Sequence, residues 1–206
     1  MLHYETIDSS TLELLKELQS IPILKESRLV GGTALALQIG HRKSIDLDIF
    51  GRISFSDDDL NQMASCGHDI AIVNRTKNIN TFSIDNVKVD FVNYGYKWID
   101  EVVMDYGIRL ASIKDIAAMK VTAIIGRGTK KDFIDLFYLL KRFSLEKIFG
   151  FYQEKYPDGS MFLALKSLSY FNDADSDPMP YMFTKDTWDN IKDSIKKEIV
   201  EYVRHI

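Results

Sequence analysis

The segment Leu29–Phe50, LVGGTALALQIGHRKSIDLDIF, constrains the fold more than any other part of the chain. A short apolar run stops at Gly31-Gly32. Thr33–Ile39 then has the amphipathic spacing of a helix. A basic turn, His41-Arg42-Lys43-Ser44, leads into a strand, Ile45–Phe50, that carries Asp46 and Asp48. Alternate residues of a strand share a face, so Asp46 and Asp48 point one way and Ile45, Leu47 and Ile49 the other. Two adjacent carboxylates repel unless positive charge lies between them. Mg²⁺ is the usual occupant, because it takes one or two protein carboxylates and completes its shell with water and phosphate oxygens. The glycine pair permits positive φ and close approach to the backbone. The helix start behind it offers free N–H groups and a positive dipole end to an anion. Taken singly, Gly-Gly is a turn and Asp-x-Asp a solvated strand edge. In this order they read as one supersecondary unit holding a nucleoside triphosphate and its metal ion.

The flanking sequence supplies the rest of a mixed fold. Ser9–Gln19 reads as an opening helix with Leu12, Leu14, Leu15 and Leu18 as its apolar positions, and Arg28–Val30 as a first core strand. Ser56 starts a further predicted helix whose first turn, Asp57–Asp59, suits the helix dipole better than a metal. Ile70–Val73, Thr81–Ile84 and Val87–Val92 read as strands, the last two joined by an Asp85-Asn86 turn. In the last strand Lys88, Asp90 and Val92 share a face. Asp90 lies between Val89 and Phe91, and on a central strand its carboxylate is costly without a partner. On an edge strand it would simply be solvated.

From Ser112 the pattern is helical. Ser112 and Asp115 form a capping-box-like start, and Gly126 and Gly128 mark the end of that helix. Lys120 and Arg127 lie two turns apart on one face. Thr129 can cap the next helix, which carries a stripe of Phe133, Leu136, Phe137 and Leu140, with Asp132 and Asp135 sharing another face. An Asp135–Arg127 pair would fix this helical hairpin. Leu145–Tyr156, Met161–Phe171 and Asp186–Val203 are helical by periodicity, and the polar, proline-bearing Asn172–Pro180 reads as a loop. The expected class is α/β (α+β): a mixed β-sheet core flanked by helices over residues 1–143, then a helical region over 144–206 packed on the core.

Composition narrows the function. The 206 residues are 46% hydrophobic and 27% charged, ordinary for a soluble globular protein. No apolar run approaches the ~20 residues that span a bilayer, and no signal-peptide pattern is seen, so a cytoplasmic protein without a membrane partner is expected. The single Cys66 fits a reducing compartment. The four histidines have no zinc-ligand spacing. A net charge of −4 argues against bulk electrostatic nucleic-acid binding, though not against a local basic patch.

Gly31-Gly32 followed by Asp46-Leu47-Asp48 resembles the signature of the DNA polymerase β-like nucleotidyltransferases. The fuller string GGTALALQIGHRKSIDLDIF resembles the AbiEii toxin branch of that superfamily. The resemblance runs from about Leu29 to Leu140. One departure is Gly32, where the superfamily often has a Ser that contacts phosphate; Thr33 is the nearest hydroxyl. The resemblance implies a nucleotidyltransferase-type sheet and transfer of a nucleoside monophosphate from a nucleoside triphosphate to an acceptor hydroxyl. It implies Mg²⁺ or Mn²⁺ at Asp46, Asp48 and Asp90, the last being the matching third carboxylate or a general base. Gly31, Gly32, Thr33, Arg42, Lys43, Ser44 and Arg127 become candidate nucleotide contacts. Lys120 would contact the triphosphate, with Asp132 or Asp135 orienting it, a basic group or the nucleophile. The cations Arg42, Lys43, Arg127, Lys130 and Lys131 suit RNA or the triphosphate alike. Acceptors in view are a transfer RNA 3′ end or other RNA, a protein hydroxyl or a small molecule; a separately encoded antitoxin is the implied partner. Two rivals stay open: a non-catalytic nucleotide-binding or toxin–antitoxin interaction module, and an antibiotic nucleotidyltransferase.

Overall fold

The computed structural model describes residues 2–53, 58–59 and 67–205. Of the helix expected from Ser56, only Asp58 and Asp59 are described, and they are helical; Ser56, Asp57 and the lone Cys66 lie outside the described residues. The chain forms two compact units. The first comprises Met1–Ile39, Ser44–Tyr96 and Val102–Ala111, and the second Gly40–Lys43, Lys97–Glu101 and Ser112–Ile206.

The first unit is built on a mixed sheet. Its strands are β1 (Arg28–Val30), β2 (Leu47–Gly51), β3 (Ile70–Arg75), β4 (Ile79–Ile84), β5 (Val87–Asn93), β6 (Val103–Asp105) and β7 (Ile108–Leu110). Among the described residues their order is β3-β4-β5-β2-β1-β7-β6. β2 lies between β1, antiparallel to it, and β5, parallel to it. The expected alternation holds at this centre: Leu47, Ile49, Val89 and Phe91 are fully buried, while Asp48 and Asp90 are only partly so. The hairpin between β4 and β5 turns on Asp85 and Asn86, at φ 49° and 64°, a left-handed pair that Asp and Asn tolerate better than most residues. Helix α1 (Ser9–Ser20) packs on β7, and α2 (Gly31–Ile39) on β1 and β2, burying Ala34, Leu35, Ala36 and Leu37.

Strand β2 begins at Leu47, so Asp46 precedes the strand that the sequence pattern extends back to Ile45. Strands β6 and β7 had no counterpart in that pattern. At three residues each they carry too little alternation to read, and unlike β1 they have no Gly-Gly stop beside them to mark a strand end.

The second unit is helical: α3 (Ile113–Gly126), α4 (Lys130–Leu140), α5 (Leu145–Lys155), α6 (Met161–Leu168), α7 (Asn172–Asp175) and α8 (Trp188–Val203). Helix α3 packs on α4, α5 and α6, and α8 packs on α4 and α5. The division expected after residue 143 therefore falls inside this unit, because α3 and α4 share their apolar faces with the helices that follow. Helix α7 occupies the start of the stretch read as a loop. Asp115 does more than cap α3. Its buried carboxylate accepts from the Ser112 hydroxyl and the N–H groups of Ile99 and Asp100, and pairs with buried Lys155 at 2.7 Å. These partners hold its pKa below the usual range even though burial works against the charge. No helix among the described residues is long and apolar enough to cross a membrane.

Candidate active site

The first unit places carboxylates in a row across the sheet. Asp48 of β2 is directly opposite Asp90 of β5 in the parallel register. Val30 lies opposite Asp48 on one side, and Thr81 opposite Asp90 on the other. Directly opposed residues share a face, so Asp48 and Asp90 are side-by-side neighbours. Asp46 is two residues before Asp48 and partly exposed.

Gly31 is what lets Asp48 sit where it does. It opens α2 with φ +69°, a conformation that favours glycine. A Cβ built there would lie 2.1 Å from Asp48 Oδ2. The carboxylate therefore lies against the glycine backbone, at the positive end of the helix dipole. The sequence pattern offers that end to a phosphate; in the structure a carboxylate is packed there. Thr33 is also committed. It is buried, and its hydroxyl bonds Ser44 Oγ and the Asp46 carbonyl, tying α2 to the segment that delivers Asp46.

Lys88 is the cation of this row, and the sequence reading gave it no role. Its ammonium is 2.6 Å from Asp90 Oδ2. Partial burial opposes its charge, but the Asp90 hydrogen bond and the fields of Asp90, Asp48 and Asp46 outweigh that and raise its pKa. The other Asp90 oxygen, Oδ1, is buried and has no hydrogen-bond partner. An unpartnered buried carboxylate oxygen on Asp90 and a glycine cradle for Asp48 both suit a hard divalent cation. Among the described residues no three His, Cys, Asp or Glu side chains already close into a ligand cage. Asp90 instead leans on Lys88, so Asp46, Asp48 and Asp90 form a row here and not a converged triad.

The second unit has its own charged cluster, and its carboxylates are buried. Asp135 accepts from His41 Nε2 at 2.8 Å, from Arg42 Nε at 2.8 Å and from Arg42 Nη2 at 2.9 Å, and pairs with Lys120 Nζ at 2.8 Å. Asp132 takes Lys120 at 2.9 Å, Arg127 Nε at 3.0 Å and the Thr129 hydroxyl at 2.7 Å. Burial alone would neutralise both carboxyls, yet these partners outweigh it. Arg42, Lys120 and His41 hold Asp135 well below the carboxylate range, and Lys120, Arg127 and Thr129 do the same for Asp132. Lys120 is likewise raised by both carboxylates against its burial. His41 goes the other way: burial lowers its pKa more than Asp135 raises it.

This geometry corrects the sequence reading at three points. Arg127 pairs with Asp132, and the partners of Asp135 are Arg42, His41 and Lys120. Lys120, 4% exposed, pairs with both Asp132 and Asp135 at once, so the structure does not single out one of them as its partner. The presumed basic patch is also smaller. Arg42 and Lys130 are buried, the latter with its ammonium on the carbonyls of Asp175 and Asp177. Lys43, Arg127 and Lys131 stay exposed. Arg127 lines a cavity of about 480 Å³ with Lys166, Tyr170 and Asp173.

The first unit thus sets a glycine-opened helix beside paired aspartates on a mixed sheet. The family model described as "Nucleotidyl transferase AbiEii toxin, Type IV TA system" matches residues 14–201. The uncharacterized protein aq_aa25 of Aquifex aeolicus (strain VF5) is 31% identical over 199 residues, 94% of this chain and 96% of that protein. The chain therefore belongs to the AbiEii nucleotidyltransferase toxin family, and it is an enzyme of that class. Two solved structures share its fold. JHP933 from Helicobacter pylori is similar with a TM-score of 0.58 at 19% identity, over 97% of this chain and 96% of that one. MenT4, described as a nucleotidyltransferase toxin from Mycobacterium tuberculosis H37Rv, is similar with a TM-score of 0.53 at 14% identity, over 96% and 84%.

Proposed function

We propose that this enzyme transfers a nucleoside monophosphate from a nucleoside triphosphate to an acceptor hydroxyl, with Mg²⁺ or Mn²⁺ held by Asp46, Asp48 and Asp90. The observation that carries the reading is the in-register pairing of Asp48 with Asp90, one seated against Gly31 and the other with a buried oxygen unpartnered. A divalent cation held there would neutralise triphosphate oxygens and stabilise charge in the transition state. The acceptor oxygen attacks the α-phosphorus, the bond to the bridging oxygen of the β-phosphate breaks, pyrophosphate leaves and the hydroxyl proton passes to solvent. Gly31 and Thr33 act on this chemistry by positioning Asp48 and Asp46.

We assign Lys120, Asp132, Asp135, His41 and Arg42 to positioning within the second unit, because each is buried and paired there. Arg127 and Lys43 are the exposed cations suited to a phosphate. RNA is the acceptor class we favour, with a separately encoded antitoxin as the partner in the cell; the family description, a type IV toxin–antitoxin system, supports the partner. The test is incubation with each α-labelled nucleoside triphosphate, Mg²⁺ and total RNA or total protein. Label should appear in RNA with the wild type and not with Asp48→Asn, and should fall as salt rises. Label in protein alone would replace the acceptor, and label in neither would overturn the transfer reading. Expression of the wild type should slow growth where Asp46→Ala does not.

A further inference from the structure

We propose that Lys88 is an internal counter-ion of the acidic row, competing with the divalent cation for Asp90 and so setting how tightly the site binds it. The proposal rests on the metal reading above. Lys88 and Asp90 are two apart on β5 and share a face, with the ammonium 2.6 Å from Oδ2. Asp48 is the register neighbour of Asp90, so the ammonium on Asp90 lies beside a second carboxylate. Without an ion, three carboxylates in one field repel one another, and one positive charge reduces that repulsion.

The contrast with the other paired lysines decides between a fixed strut and a removable cation. Lys120 and Lys155 are buried between their partners, and their ammonium groups have no way out to water. The Lys88 side chain is 50% exposed, although Asp90 is 17% exposed. An exposed ammonium exchanges a carboxylate for water more readily than an enclosed one. A divalent cation arriving with twice the charge can therefore displace it from Oδ2 and also use Oδ1, which nothing else engages. Lys88 is thus a placeholder whose departure accompanies metal loading.

The experiment is calorimetric titration of the nucleotide-free protein with Mn²⁺, comparing wild type, Lys88→Met, Lys88→Arg and Asp48→Asn. Lys88→Met should bind Mn²⁺ about tenfold more tightly than wild type, the usual effect of removing one nearby like charge. Lys88→Arg keeps the charge and should bind as wild type does. If wild type binds Mn²⁺ and Lys88→Met binds it no more tightly, the counter-ion role is overturned and the metal site stands. If Asp48→Asn binds as well as wild type, or none of the proteins binds, the metal reading fails and the counter-ion role with it.

Discussion

Each unit of the chain holds a group of aspartates, and the two groups are treated in opposite ways. In the second unit Asp132 and Asp135 are almost fully enclosed, and Lys120, Arg127, Arg42, His41 and Thr129 saturate their oxygens. In the first unit Asp46, Asp48 and Asp90 are partly exposed, Lys88 is the cation that faces them, and Asp90 keeps one oxygen unpartnered. Carboxylates whose every lone pair is met fix a structure and have nothing left to offer a ligand. Carboxylates set side by side repel one another, and a cation between them relieves that. The same residue type is enclosed and fully paired in one place and partly exposed in the other, which is the contrast behind the proposed division between architecture and chemistry.

Substitution should separate them too. Asp48→Asn should lower nucleotide transfer by about 10⁴-fold, the several kcal/mol expected of metal-ion catalysis, while its thermal melting stays near that of the wild type. A large loss of melting temperature in Asp48→Asn would place this row with the architectural group. Asp135→Asn should do the reverse. It strands buried Arg42 and Lys120, and breaking such a network by removing one partner costs about 3–5 kcal/mol. Urea unfolding checks this, and an unchanged midpoint would mean that the cluster is not structural.

Gly31→Ala tests how the first unit seats its carboxylate. The left-handed φ costs a non-glycine residue about 1–2 kcal/mol, and the new methyl group would overlap Asp48 Oδ2. Mn²⁺ affinity should fall more than stability does. If stability falls while Mn²⁺ affinity holds, Asp48 has room to move and the cradle is not needed.

The smallest expected effect is on pH dependence. Asp132 and Asp135 titrate below their unfolded value of about 4, so their stabilisation is full above that pH and is lost as pH falls through their lowered pKa values. His41 has the same sign at a higher pH. Below about 6.5 the unfolded chain takes up a proton that buried His41 resists, so stability declines gently from there. His41→Asn should flatten the slope between pH 5 and 7 and leave the acid limb. A slope unchanged in that variant would assign it to another histidine.

Much of the first unit is legible in the chain because its signals are local. Gly31-Gly32, the helix behind it, the Asp-x-Asp spacing and the Asp85-Asn86 turn each act over a few residues, and strand alternation alone puts Asp48 and Asp90 on faces opposite their buried apolar neighbours. Strands β6 and β7 are too short to carry a period. Lys88 was visible as a neighbour of Asp90 on its strand, but a lysine on an exposed face is ordinarily just solvated, so the sequence gives no reason to single it out. The short polar helix α7 has no apolar stripe to reveal it.

The sequence by itself determined the class of fold and which side chains share a face, since spacing along a strand or helix fixes that. Only the tertiary structure decided who partners whom. Asp135 meets His41 and Arg42 across 94 and 93 positions of the chain, and Asp115 meets Lys155 across 40. Asp90 adjoins Asp48 only because β2 and β5 pair in parallel in that register. Burial then sets the outcome of each meeting, because enclosure makes a paired charge permanent and partial exposure leaves it exchangeable.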